Sequence, residues 1–152
     1  MVIFLIPSPV NEQPIGIFDS GVGGLTVANA IKQILPGESL VYFGDTAHLP
    51  YGDKSAEAIR YYSGKITEFL LGHNAKVILV ACNSASASAF DSLREEFSDR
   101  VHLIDVIDPV VDYLSSKNFR KIGVIGTKRT ISSGAYDSKI KERIPGTQLV
   151  SM

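Results

Sequence analysis

The chain has 152 residues, 45% of them hydrophobic and 20% charged, which suits a globular protein with a sizeable buried core. Its net charge of −1 gives no electrostatic basis for binding nucleic acid or an anionic membrane surface. A single cysteine excludes an intrachain disulfide and fits a reducing, cytoplasmic setting, and no apolar run approaches the roughly 20 residues of a membrane-spanning helix.

In chain order, residues 1–13 begin with an apolar string, Met1 to Ile6, that lacks the basic start of a signal peptide and reads as a flexible or strand-like extension. Residues 14–18 predict a strand and 25–35 a helix stopped by Pro36-Gly37. A second strand at 40–43 leads into a long loop reaching Lys54. Ser55 is a suitable N-cap for a helix to Gly72, where Gly72-His73-Asn74 reads as the C-terminal cap and His73 as a favourable cation. Residues 77–81 predict a third strand, 85–97 a third helix, and 102–107 a fourth strand. Pro109 suits the first position of a helix to about Ser116. Residues 121–126 predict a fifth strand and 132–143 a helix broken by Pro145-Gly146, after which 147–152 starts a sixth strand.

Strands alternating with helices predict an α/β protein with a parallel sheet flanked by helices on both faces. Ligands in such sheets bind beyond the carboxyl ends of the strands. That rule selects the segments 19–24, 44–52, 82–84, 108–109 and 127–130.

The first of these, Asp19-Ser20-Gly21-Val22-Gly23-Gly24, has the glycines for a tight turn with the backbone close to a ligand. It is neither a dinucleotide fingerprint, since Thr26 stands where the third glycine belongs, nor a P-loop. Asp19 and Ser20 read either as turn residues or as polar groups at the lip of an amide-rich pocket. In the second loop Pro50 fixes the approach, Gly52 allows close backbone contact and Tyr51 can wall a small pocket, while Asp45, His48 and Asp53 suit turn or surface positions. His48, near the loop tip, is the histidine to test for a substrate role. His48, His73 and His102 are too scattered for a metal site, and the lone cysteine offers no zinc spacing. Asp91, Arg94, Glu95, Glu96, Asp99 and Arg100 read as a solvated helix face.

Cys82 closes the apolar run Val77-Ile78-Leu79-Val80-Ala81 and opens the small polar run Asn83-Ser84-Ala85-Ser86. A thiol at such a strand-to-helix junction faces free backbone N–H groups and the positive end of a helix dipole, which would lower its pKa toward thiolate. The alternative is a small buried hydrophobe with no chemistry.

Taken together, Ile15-Gly16-Ile17-Phe18-Asp19-Ser20-Gly21-Val22-Gly23-Gly24-Leu25-Thr26-Val27, then Tyr42-Phe43-Gly44-Asp45-Thr46 through Pro50-Tyr51-Gly52, then Ala81-Cys82-Asn83 and Ile122-Gly123-Val124-Ile125-Gly126-Thr127, resemble the glutamate racemase family over about residues 14–150. The resemblance implies a racemase needing neither cofactor nor metal, which interconverts L- and D-glutamate and supplies D-glutamate for peptidoglycan. It implies two cysteines flanking the substrate α-carbon, with Cys82 as the first. Asp19 would assist its proton handling, and Ser20, Pro50, Tyr51, Gly52, Asn83 and Ser84 would hold the substrate, as would Thr127 and Thr130. It further implies a cytoplasmic enzyme acting on a small molecule, with a homodimer as one assembly open to it.

Two departures accompany the resemblance. Ser84 stands where the family usually has threonine, which keeps the hydroxyl and drops a methyl. The family's second cysteine, in a downstream Cys-Thr-His segment, has no counterpart among these residues. The resemblance therefore divides the chain into an extension (1–13), a first racemase-like domain (14–104) lacking its C-terminal segment, and the beginning of a second (105–152). The expectation is an incomplete chain that does not racemise glutamate by itself. The alternatives are another amino-acid racemase, acting on aspartate for instance, or a catalytically inactive module that grips a dicarboxylate or phosphate on its amide-rich loops.

Overall fold

The structure is a computed structural model describing residues 1–7 and 13–152, so part of the N-terminal extension lies outside the described residues. Its main sheet contains β1 (Val2–Ile6), β2 (Ile15–Asp19), β3 (Leu40–Gly44), β4 (Val77–Val80) and β5 (His102–Asp105), in the order β1-β3-β2-β4-β5. The last four are mutually parallel, as the alternation of elements predicts. β1 departs from that pattern and runs antiparallel on the outer edge of β3. The register gives the reason: Ile6 and Ile15 both pair with Leu40, so an antiparallel β1 ends where β2 begins. A parallel β1 would need a crossover of a dozen or more residues.

Alternating side chains of this sheet enter two cores. Phe18, Val41, Phe43, Ile78 and Val80 pack under α2 (Ala56–Gly72) and α3 (Asn83–Phe97). Ile15, Ile17, Tyr42 and Leu79 pack under α1 (Leu25–Ile34) on the opposite face. The charge-rich run from Asp91 to Arg100 is exposed around the buried Leu93 and Phe97 of α3. Ser55 caps α2 by accepting from the Ala58 N–H at 3.2 Å, and His73 ends that helix with its ring on the Phe69 carbonyl at 2.9 Å.

Beyond β5 the chain builds a second, smaller core instead of widening the first sheet. α4 (Asp108–Ser115), β6 (Lys121–Val124), α5 (Lys128–Ser132), α6 (Ala135–Arg143) and β7 (Gln148–Ser151) follow, and β6 and β7 form a separate parallel pair. Ile107, Val111, Ile122 and Ile140 are its buried centre, touched by Ala87 of α3. The helix expected over 132–143 is α6, which starts at Ala135 after Gly134 in a left-handed conformation (φ +69°), and the short helix α5 occupies the segment before it, expected to be loop. Pro109 stands one position further into α4 than expected, since Asp108 already opens that helix. Among the described residues no helix is long and apolar enough to cross a membrane.

Candidate active site

The carboxyl ends of β2, β3 and β4 bring Asp19, Gly44 and the segment Cys82-Asn83-Ser84 to one edge of the main sheet. Asp19 is buried and uses Oδ2 to accept from the Gly21 N–H at 3.0 Å, while its carbonyl accepts from the Asp45 N–H at 2.9 Å. The Tyr42 hydroxyl donates to the Gly21 carbonyl at 3.0 Å, pinning the first glycine-rich turn from beneath. Burial, and then the nearby Asp19 and Cys82, push the Tyr42 phenol well above its ordinary pKa, so it stays a donor.

Cys82 precedes the first turn of α3, as the sequence predicts, and α3 itself starts at Asn83 rather than Ala85. The thiol is buried and points its Sγ at the Ser20 hydroxyl, 3.6 Å away. The expected lowering of its pKa does not occur. Burial raises the thiol above its ordinary value, and the Asp19 carboxylate raises it further. Backbone N–H bonds from Ala85 and Ser20 act the other way, so the helix start helps the thiolate but is outweighed by desolvation. The resting group is a protonated thiol.

The second loop is organised by a residue expected only to form a turn. Asp45 is buried and accepts from the Tyr51 hydroxyl at 2.6 Å and from His48 Nδ1 at 2.8 Å. The His48 ring stacks on Tyr62 at 4.0 Å between centroids. His48 thus serves the loop's internal packing. Tyr51 is fully buried and, with Gly52, opens a short 3-10 turn after Pro50.

The second core contributes the far wall. Thr127 caps α5 by accepting from the Thr130 N–H at 3.2 Å, and its Oγ1 lies 2.9 Å from Ser84 Oγ. Thr130 Oγ1 lies 3.3 Å from Ser84 Oγ and 3.0 Å from Thr127 Oγ1, which closes a triangle of hydroxyls. Arg129 Nε donates to the Lys54 carbonyl at 3.0 Å and fastens α5 to the second loop. A Cβ on Gly52 would stand 2.7 Å from Thr127 Cβ, so glycine is required for that approach. Asn83 accepts a 2.7 Å hydrogen bond from Tyr136 of α6, and both residues line a cavity of about 490 Å³ with Thr127 and Thr130.

Close contacts join part of the predicted set of site residues: Cys82 meets Ser20, Ser84 meets Thr127 and Thr130, and Gly52 meets Thr127, while Tyr51 turns its hydroxyl onto Asp45 and Pro50 precedes that turn. Residues 108–109 do not join it, because Asp108 is held by Lys139 at 2.7 Å and by Arg143 at 2.7 Å in a separate ion cluster. The sequence reading missed the organising role of Asp45, although that residue lies inside a motif it used. It also missed Tyr136, which has no local signal and reaches Asn83 only through the fold. No group of three or more His, Cys, Asp or Glu among the described residues is arranged to hold a metal ion.

The arrangement offers one buried thiol beside the Asp19 carboxylate and several hydroxyl groups, a set suited to moving a proton on a small polar molecule. The profile of the Asp/Glu/Hydantoin racemase family matches residues 16–151, and the chain belongs to that family. It is 48% identical over 125 residues to a glutamate racemase of Thermus thermophilus, covering 82% of this chain and 47% of that protein. It is 51% identical over 128 residues to one of Corynebacterium diphtheriae, covering 84% of this chain and 48% of that protein. Among solved structures, a glutamate racemase of Francisella tularensis in complex with D-glutamate superposes with a TM-score of 0.86 at 40% identity, over 92% of this chain and 52% of that one. One of Aquifex pyrophilus does so with a TM-score of 0.85 at 44% identity, over 91% and 54%. The chain spans about half the length of these relatives.

Proposed function

We propose that this chain carries one side of a glutamate racemase site, with Cys82 as the acid/base group for one face of the substrate α-carbon. The carrying observation is the buried thiol at the start of α3, 3.6 Å from Ser20 and within the field of Asp19. Because the thiol rests protonated, Asp19 acts as the group that accepts its proton when glutamate binds, generating the thiolate that removes the α-hydrogen. The electron pair left on carbon delocalises into the substrate carboxylate, whose charge the N–H groups and hydroxyls of this edge stabilise. Ser20, Pro50, Tyr51, Gly52, Asn83, Ser84, Thr127 and Thr130 form the binding surface in this reading.

The division into a first domain at 14–104 and the beginning of a second at 105–152 belongs to the same proposal, and the separate β6–β7 sheet with its own core supports it. The setting proposed is the cytoplasm, and the product D-glutamate for peptidoglycan. Relatives whose structures were solved with D-glutamate, from Francisella tularensis, and with L-glutamate, from Escherichia coli, support the choice of substrate.

Inversion needs a proton taken from one face and another delivered to the opposite face, and these 152 residues hold one cysteine. The purified chain, incubated with L- and D-glutamate in deuterated water, should exchange the α-hydrogen of one enantiomer without forming its mirror image. Proton NMR reads the exchange and chiral chromatography reads the product. Exchange that survives Cys82→Ala removes the thiol from the mechanism. Steady formation of the opposite enantiomer by the wild-type chain defeats the one-face argument.

A further inference from the structure

We propose that Tyr42 is a positioning residue for the acid/base thiol: its hydroxyl, lodged inside the first glycine-rich turn, holds Ser20 where that residue meets Cys82. The inference rests on the reading of Cys82 as the acid/base group and adds what keeps the donor of that thiol in place.

Tyr42 is 1% exposed and packs in the core beneath α1. From there its hydroxyl reaches the turn that joins β2 to α1, donating to the Gly21 carbonyl at 3.0 Å and accepting from the Gly24 N–H. One buried hydroxyl thus bridges the two ends of the turn with its single donor and one lone pair. The Gly21 carbonyl is wedged on its other side, since a Cβ on Gly44 would overlap its oxygen. Ser20 lies between this bridge and Asp19, and Asp19 is itself tied to Gly44 at the end of the β2–β3 ladder. Ser20 is only half-buried, so the backbone on either side fixes it.

Ser20 offers Cys82 its hydroxyl, 3.6 Å from Sγ, and its N–H. The hydroxyl can turn, accepting from the thiol and donating to the thiolate. Ser20 therefore favours the ionisation that burial and Asp19 oppose. The titratable groups facing the thiol are Asp19 from β2, Tyr42 from β3 and Tyr51 from the second loop, while the first turn of α3 supplies the Ala85 N–H. Burial first of all holds both phenols above their ordinary range, so they stay neutral while the thiol titrates. Removing the Tyr42 hydroxyl changes no charge and acts on Cys82 through the turn.

The test follows alkylation of Cys82 by iodoacetamide against pH in the 152-residue chain, in Tyr42→Phe, in Ser20→Ala and in the double variant. Tyr42→Phe should react about fivefold more slowly at any pH below its midpoint, because the thiolate loses a donor, and should reach the wild-type plateau above it. Ser20→Ala should lose a similar factor, and the double variant should be no slower than the slower single one. A merely structural role would lower the melting temperature of Tyr42→Phe and leave the midpoint where it is. A wild-type profile in either single variant overturns the inference. So does a double variant slowed by the product of the two factors, because Tyr42 would then act by a route other than Ser20. Should Tyr42→Phe not fold, Tyr42→p-aminophenylalanine keeps the ring and a weaker donor: about twofold slowing supports the inference, and a wild-type profile overturns it. These readouts need no glutamate, so they stand apart from the racemase reading, which falls if α-hydrogen exchange survives Cys82→Ala.

Discussion

Tyr51 donates a 2.6 Å hydrogen bond to Asp45, and both residues are almost wholly buried, at 1% and 4% exposure. The bond holds the second loop in the shape that brings Gly52 against Thr127. Tyr51→Phe leaves one oxygen of a buried carboxylate without its hydroxyl donor, so the chain should lose about 2 kcal/mol of stability. Urea denaturation measures this, with Tyr61→Phe as the control because Tyr61 is 63% exposed. Equal stability of the two variants would mean that His48 alone satisfies Asp45.

Cys82 should alkylate as an ordinary thiol does only at higher pH than usual. Its pKa is raised above that of an ordinary thiol, first by burial and then by Asp19, so the rate with iodoacetamide should climb through a midpoint above that of a free cysteine. The same shift affects stability with a definite sign. A raised pKa means the fold favours the protonated thiol, so its contribution is complete below the ordinary value and is lost as pH climbs through the folded value. Between the two values the loss is about 1.4 kcal/mol per pH unit. Tyr42 and Tyr51 are raised as well and add losses of the same sign at still higher pH. Cys82→Ala should make the first part of this alkaline decline shallower, as read by chemical denaturation at several pH values. An alkylation midpoint below that of a free cysteine contradicts the burial argument.

Gly52→Ala should damage binding and stability together. The added methyl would lie 2.7 Å from Thr127 Cβ and 2.9 Å from its Cγ2, so the loop or the start of α5 must move. Overpacking of this kind costs about 1–3 kcal/mol. Displacing Thr127 also opens its 2.9 Å contact with Ser84. Thermal melting and glutamate titration should both report the change, and a variant with wild-type values in both would show that α5 yields without cost.

Asp108 should matter to the second core and not to the ligand. Burial alone would raise its pKa, but hydrogen bonds and charge from Lys139 and Arg143 outweigh it and hold the carboxyl below its ordinary range. A lowered value means this contribution is present above the ordinary carboxylate pKa and is lost as pH falls through the folded one. Asp108→Asn should cost about 1 kcal/mol at neutral pH, since the pairs are only partly buried, and almost nothing in strong acid. Urea denaturation at neutral and acidic pH checks both arms, with glutamate affinity unchanged.

Most strands and helices were legible because short continuous apolar runs and capping residues are local signals, as at Val77–Val80 and at Ser55. Cys82, Ser84 and the loop residues were legible from motif strings. What escaped depended on distance in sequence or on competing energies. The contact from Tyr136 to Asn83 and the clasp from Thr127 to Gly52 join segments far apart in the chain. The Cys82 pKa was misjudged because the helix start is visible in the sequence, whereas the depth of burial that outweighs it is not. The direction of β1 follows from its pairing with β3 and its short connection to β2, which a strand's own residues do not state.

The hydroxyls of Ser84, Thr127 and Thr130 come from two different cores and meet at 2.9–3.3 Å. A molecule seated on all three would act as an adhesive joint. Its binding free energy would then be part of the work needed to pull the β6–β7 sheet away from the main one. Affinity measured in a titration and cohesion measured by pulling or heating would be one quantity sampled at two places, so saturating ligand should merge the loosening of the two cores into a single event.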